Sequence, residues 1–316
     1  MFGRLLQSLL LVLAIGFVNP TNADPANCKT IHLADTGWTD IAATTAAASS
    51  VLEALGYETQ IHLLSVPIVY VAMKNARIDV FLGNWMPTMQ DDVKRYLESG
   101  AVESVRANLE NAKYTLAVPS YVAENGVTSF ADIVSSGEKF NFQIYGLEPG
   151  NDGNRIINQL ISERAFDLSD FKLVESSEAG MLKTITKAIE KQDWVLFLAW
   201  EPHPMNAKFD LTYLSGGDAY FGPNYGHATV YTNVRQGYME SCPNVGRFLE
   251  NLVFTLEMEN ELMHQIMNEK VEPEQAFKQW LSKAGHAEIV KAWLDGVKTF
   301  DEQTSDNVID TILGSN

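Results

Sequence analysis

Short apolar segments of strand length alternate with helical segments through the first two thirds of the chain, and this alternation limits the possible folds more than any other feature. The first predicted strand, 30–34, is followed by a turn and by a predicted helix over 41–55 that ends at Gly56. The same order recurs, with predicted strands over 59–64, 79–82, 114–118, 140–145, 171–174, 194–198, 211–214 and 227–234. Strands that alternate with helices are typical of βαβ units, so we predict an α/β fold with a mainly parallel sheet.

The length and the lack of a linker indicate two closely joined lobes. The 316 residues are enough for two domains of about 150 residues, each with its own core. Because no Gly/Ser-rich linker separates them, we predict a discontinuous first lobe, 24–113 plus 218–316, and a second lobe, 114–217, joined by crossing strands. The last third predicts four helices and then a polar tail from residue 301 that we expect to be frayed: the helices are 245–256, 262–267, 273–284 and 287–297.

The N-terminus carries the pattern of a secretory signal peptide. Arg4 precedes an apolar run of ten residues, 9–18, and a polar break that ends in the small residue Ala23. The run is too short to span a bilayer comfortably, so we predict that residues 1–23 are cleaved and that the protein is exported to the periplasm. In an oxidising compartment an even number of cysteines indicates a disulfide, and the predicted pair is Cys28 and Cys242.

The charge balance and the missing catalytic motifs narrow the class of function. With 23 basic and 40 acidic residues the formal charge is −17, which disfavours binding to nucleic acid and is compatible with a cationic or neutral small ligand. The sequence contains no G-x-S-x-G, H-E-x-x-H, P-loop or G-x-G-x-x-G motif, and His203 has no second histidine at metal-ligand spacing. We therefore predict no catalytic residue, no metal site and no cofactor.

Aromatic residues give the positive signal. Trp38, Trp85 and Trp200 follow predicted strands, the segments around Trp85 and Trp200 are similar to each other, and Tyr114 begins the strand predicted to cross between the lobes. For a single tryptophan, core packing is the common alternative. Ligands of open α/β sheets, however, bind beyond the carboxyl ends of the strands, where these rings would meet. Converging π-faces suit a cation that cannot donate a hydrogen bond, above all a quaternary ammonium group.

Two polar residues accompany these aromatic positions. Asp40 could place a full negative charge beside a bound cation, or it could cap the helix that begins near Ile41. Asn151 lies in a glycine-flanked turn, where it could cap the following helix or direct its amide towards a ligand hydroxyl. The sequence leaves both alternatives open for both residues.

Taken together, the motifs resemble those of the periplasmic substrate-binding proteins of ABC importers for quaternary ammonium compounds. The resemblance extends over essentially the whole chain after residue 23. It depends on segments 37–40, 83–87, 113–115, 149–153 and 199–202 and on the cysteine pair. It implies a type II-like fold of two α/β lobes that close around the ligand. By matching position, it also implies a ligand site formed by Trp38, Asp40, Trp85, Tyr114, Asn151 and Trp200.

The resemblance further implies what the protein binds. Within the family the motifs are most similar to those of choline binders, so we predict high-affinity choline binding by a monomer that delivers it to a membrane permease. Glycine betaine or another trimethylammonium compound is the alternative ligand. An exported enzyme acting on choline derivatives is an alternative from another class, although the sequence shows no recognisable pair of nucleophile and base.

Overall fold

The computed structural model describes residues 24–314, so the predicted signal peptide lies outside the described residues. The strands within this range are β1 (Thr30–Asp35), β2 (Glu58–Leu63), β3 (Val80–Met86), β4 (Val102–Pro119), β5 (Gln143–Tyr145), β6 (Lys172–Val174), β7 (Phe197–Glu201), β8 (Leu211–Tyr213) and β9 (His227–Arg235). They form one sheet in the order β2-β1-β3-β9-β4-β7-β5-β6, and β8 pairs with β4. The fold is therefore α/β, as predicted.

Helices and short helical turns connect the strands of the described chain. They are α1 (Thr39–Ala54), α2 (Val66–Lys74), α3 (Gln90–Glu98), α4 (Ser120–Ala123), α5 (Asp152–Ser162), α6 (Glu178–Glu190), α7 (Met205–Lys208), α8 (Asp218–Phe221), α9 (Pro223–Gly226), α10 (Tyr238–Ser241), α11 (Pro243–Asn251), α12 (Leu256–Met267), α13 (Pro273–Leu281), α14 (His286–Trp293) and α15 (Val308–Leu313). Helix α1 packs against α12, α13 and α15, and its buried alanines allow this close approach. None of the helices between residues 24 and 314 has the length and apolar character of a membrane span.

The sheet is mixed, and the prediction of a mainly parallel sheet is wrong. Strands β1, β2 and β3 pair in parallel with one another through β1, and β5 pairs in parallel with β6 and β7. Between these two groups, β9 runs antiparallel to β3 and β4, and β4 runs antiparallel to β7 and β8. The long strands β4 and β9 run in opposite directions along each other, so no βαβ crossover joins them.

Strand β4 is shared between two sets of neighbours. Residues 102–113 pair with β9, and from Lys113 onward the strand pairs with β7 and then β8. We predicted that Tyr114 begins this strand, and this is wrong, because Tyr114 lies past the middle of β4. The first half escaped prediction because it is polar, bulged and buried only intermittently, so it lacks the apolar run of a central strand. The change of partner coincides with the predicted lobe boundary at residue 113.

Three further predictions are corrected. The strand predicted over 140–145 is reduced to β5, because Asn141 and Phe142 have positive φ angles that an extended strand does not allow. The strand predicted over 194–198 lies three residues later, as β7, so Trp200, like Trp85 in β3, is the penultimate residue of its strand. The tail expected to be frayed contains α15, whose residue Val308 is buried.

The predicted disulfide is confirmed. Cys28 and Cys242 are bonded, with Cα atoms 5.8 Å apart, and both are buried. The bond joins the segment before β1 to the turn between α10 and α11, across 214 positions of sequence. It therefore attaches the start of the described chain to its C-terminal helical part.

Candidate ligand-binding site

One small cavity brings the six predicted site residues together. The empty space between these side chains is about 250 Å³, counted together with its opening to solvent. Two residues that the sequence did not indicate, Leu147 and Asp152, complete the wall. The lining residues are Trp38, Asp40, Trp85, Tyr114, Leu147, Asn151, Asp152 and Trp200. That they contact a ligand remains a prediction.

The aromatic rings reach the cavity from four elements. Trp38 directly precedes α1, Trp85 and Trp200 stand near the ends of β3 and β7, and Tyr114 lies opposite Trp200 in the β4–β7 ladder. The Tyr114 ring makes edge contacts with Trp85 and Trp200, at centroid distances of 6.1 and 6.4 Å and interplanar angles of 62° and 88°. Because the planes stand at steep angles, the rings form adjoining walls instead of a stack.

Asp40 lies in the first turn of α1, but it does not cap the helix. The capping position is occupied by Trp38, and no side chain of α1 makes a capping hydrogen bond. Asp40 is 2% exposed, and its Oδ1 has no hydrogen-bond partner among the described residues. Burial, and then the negative charge of Glu178, raise the pKa of the Asp40 carboxyl to about 8. The arrangement holds a carboxyl group ready to ionise beside a cation.

Asn151 caps α5, which is the first of the two roles that the sequence left open. Its Oδ1 accepts hydrogen bonds from the Asn154 N–H at 3.1 Å and from the Tyr114 hydroxyl at 3.0 Å, so it caps α5. Its Nδ2 is buried without a partner among the described residues, in the wall of the cavity. An amide donor left free in this way is available to an acceptor on a ligand.

Asp152 is the polar wall residue that sequence reasoning missed. It is 1% exposed, and neither carboxyl oxygen has a hydrogen-bond partner within the described chain. Burial raises the pKa of this carboxyl to about 6. An aspartate in the first turn of a helix is common on protein surfaces, so only the position of α5 against the cavity distinguishes it. The cavity thus holds two buried carboxyl groups.

Side chains near the cavity also connect the two predicted lobes. The Trp38 indole N–H donates to Glu148 Oε1 at 2.9 Å. Arg155 donates to the Thr88 carbonyl oxygen at 2.6 Å and to Asp92 Oδ2 at 2.9 Å. These contacts join residues that are more than 60 positions apart in the sequence, and they hold the cleft between the two predicted lobes closed.

No metal centre is found in the described part of the chain. Between residues 24 and 314, no three His, Cys, Asp or Glu side chains are grouped as metal ligands would be. His203, the histidine considered above, is instead 2.9 Å from a carboxyl oxygen of Glu178.

Comparison with known proteins identifies the family. Residues 29–283 match the family model described as the substrate binding domain of an ABC-type glycine betaine transport system. The chain belongs to this family. It is therefore the substrate-binding component of an ABC transporter, not an enzyme, and proteins of this kind act outside the cytoplasmic membrane. The two-lobe fold of the family agrees with the predicted fold class.

Individual members of the substrate-binding family extend the comparison. A solved ABC-transporter choline binding protein in complex with choline is 52% identical, with a TM-score of 0.90, and the match covers 92% of this chain and 100% of that one. For an ABC-transporter choline binding protein in an unliganded semi-closed conformation, also 52% identical, the TM-score is 0.83, with 91% and 99% covered. The glycine betaine/carnitine transport binding protein GbuC of Listeria monocytogenes is 31% identical over 52% of this chain, and the match spans 53% of its own length.

Proposed function

We propose that this protein binds choline in the periplasm and delivers it to the membrane permease of an ABC importer. The observation that carries the proposal is the cavity itself, where four aromatic residues line the wall beside the buried Asp40 carboxyl, whose Oδ1 has no hydrogen-bond partner among the described residues. Residues 1–23 would direct export. Two lobes would close on the ligand: the first consists of residues 24–113 and 218–316, and the second of residues 114–217. The 52% identical choline binder supports this assignment.

The chemistry of a trimethylammonium group matches this wall. Such a group carries a full charge and has no N–H to donate, so it is held by aromatic faces, each contributing about 0.5–2 kcal/mol when desolvated. Asp40 supplies the opposite charge. The free Nδ2 of Asn151 is available to the hydroxyl oxygen at the other end of choline.

Glycine betaine is the second candidate, since the family model and GbuC both carry its name. Its carboxylate would need a cationic or strongly donating partner. Among the described residues, no basic side chain lines the cavity. The two basic residues nearest to the motifs in sequence are engaged elsewhere: Arg155 pairs with Asp92, and Lys113 pairs with Glu201 at 3.1 Å. The acidic wall therefore favours choline.

Replacing Trp200 with alanine is expected to weaken choline binding by about 1–3 kcal/mol, because a cation–π contact and buried apolar area are lost together. Trp194→Ala provides the matched control. That ring is half-buried outside the cavity, where it packs on Phe140 at 5.5 Å and on the Lys139 ammonium at 4.0 Å. Isothermal titration calorimetry with choline and with glycine betaine measures both variants. Equal affinities in two folded variants would remove Trp200 from the site.

Choline binding is expected to release a proton below pH 8. The Asp40 carboxyl, with its pKa of about 8, is protonated at pH 6–7 in the empty cavity, and a bound cation favours its ionised form. The dissociation constant for choline should therefore fall as the pH rises from 6 towards 8, by up to about tenfold per unit, and then level off. Calorimetry at pH 7 in phosphate and in Tris detects the proton as a difference in apparent enthalpy. A pH-independent affinity with no buffer effect would contradict ionisation of Asp40 on binding.

A further inference from the structure

A buried carboxylate holds the start of α1 from the other side of the cleft. Glu178, the first residue of α6, is 5% exposed. Its Oε2 accepts a hydrogen bond from the Thr39 N–H at 2.8 Å, and its Oε1 accepts one from the Thr39 hydroxyl at 2.9 Å. Thr39 lies between the wall residues Trp38 and Asp40 in the sequence. Glu178 therefore forms hydrogen bonds next to the wall, although Glu178 does not itself line the cavity.

His203 fixes the position of this carboxylate. Its Nδ1 accepts a hydrogen bond from the Met205 N–H at 2.9 Å, so the ring proton is on Nε2, which donates to Glu178 Oε1 at 2.9 Å. The His203 ring also makes an edge contact with Trp200, at a centroid distance of 4.5 Å. A continuous path of contacts therefore joins Trp200 on β7 to the start of α1.

We propose that Glu178 is a positioning residue that caps α1 across the cleft and thereby holds Trp38 and Asp40 in the closed site. Helix α1 has no capping side chain of its own, and its first N–H groups need an acceptor. A carboxylate is a strong acceptor at a helix N-terminus and also complements the helix dipole. Because the cap belongs to the predicted second lobe, it is made on closing and lost on opening.

The expected consequence is kinetic. An interaction that exists only in the closed form slows opening, so its loss should raise the dissociation rate of the ligand and leave the association rate nearly unchanged. This inference rests on the proposed function for its ligand, choline. Hydrogen bonds to a charged group are individually strong, and we expect Glu178→Gln to raise the dissociation rate by about 10- to 100-fold.

A double-mutant cycle with Thr39→Val separates the cap from a simple effect of charge. Thr39→Val removes the hydroxyl donor without changing any charge, and Thr39→Ser retains the donor and should restore slow dissociation. If Glu178 acts through Thr39, the effects of Thr39→Val and Glu178→Gln on choline dissociation, measured by stopped-flow tryptophan fluorescence, will be clearly less than multiplicative in the double variant. Effects that multiply within about twofold would show two independent sites and overturn the proposal.

A second measurement follows the cap in the closed form. In the protein saturated with choline, amide hydrogen exchange at the start of α1 is expected to be at least about tenfold faster in Glu178→Gln than in Glu190→Gln. Glu190 is the exposed last residue of the same helix, so this control removes an equal charge. Equal exchange in the two variants would refute the cap. If the wild-type protein binds glycine betaine instead of choline and the two variants show this difference with betaine bound, only the proposed function is refuted.

Discussion

Replacing Asp40 with asparagine is expected to weaken choline binding and to narrow the preference for choline over glycine betaine. Both ligands present a trimethylammonium group, so the aromatic rings cannot distinguish them well. An ionised Asp40 repels the carboxylate of betaine, and at about 5 Å with an effective dielectric constant near 20 this repulsion is on the order of 3 kcal/mol. The ratio of the two affinities should therefore change by up to about 100-fold in Asp40→Asn.

The measurement is sharpest at pH 9. The pKa of the Asp40 carboxyl is about 8, so the group is mostly ionised at pH 9 in the empty cavity, and bound choline favours the ionised form further. Asp301→Asn, which removes one exposed carboxylate from the C-terminal region, serves as the control for net charge. Calorimetry with each ligand gives the ratio directly. An unchanged ratio in Asp40→Asn would exclude Asp40 as the residue that selects by charge, although the aromatic site for quaternary ammonium compounds would stand.

Loss of the disulfide is expected to lower the free energy of unfolding by about 2–4 kcal/mol. The bond closes a loop between residues 214 positions apart, for which chain-entropy reasoning gives a stabilisation of about 5 kcal/mol. The smaller figure is expected because other contacts also hold the N-terminal segment. The Asp24 carboxylate accepts hydrogen bonds from the Asn244 N–H at 2.7 Å and the Tyr57 hydroxyl at 2.9 Å.

Urea denaturation of the variant with Cys28→Ser and Cys242→Ser, next to the oxidised wild type, measures this difference. The reduced wild-type protein controls for the new hydroxyl groups. Choline affinity should change little, since neither cysteine lines the cavity. Equal unfolding midpoints for the oxidised and the disulfide-free protein would show that the bond contributes nothing to stability.

Local patterns in the sequence predicted much of the fold. The apolar runs of β1 and β3 and the amphipathic α6 can be recognised without tertiary information. The first half of β4 cannot, because its stability comes from pairing with β9, more than a hundred residues later in the chain. The mixed direction of the sheet has the same origin, since it depends on how β9 returns between the two lobes.

The aromatic part of the site was predictable for a different reason. Trp85 and Trp200 occupy matching places near strand ends, and the carboxyl ends of strands are where ligands of α/β sheets bind. Asp152 and Glu178 carry no such signal. Each is an acidic residue in the first turn of a helix, where the local sequence does not distinguish a buried position from an exposed one. The roles of these two residues depend on contacts between segments that are distant in the sequence, so neither segment alone predicts them.

The ring of Tyr114 borders the cavity, and its backbone belongs to β4, the strand that changes partner between the two lobes. A molecule that displaces this ring is therefore expected to strain the strand that connects the two lobes, and with it the angle between them. Ligand occupancy and lobe closure are then separate properties, because a poorly fitting compound can stay bound in the cavity while the two lobes fail to close fully. A permease that recognises only the fully closed conformation would not accept such a complex, so transport can be more selective than binding.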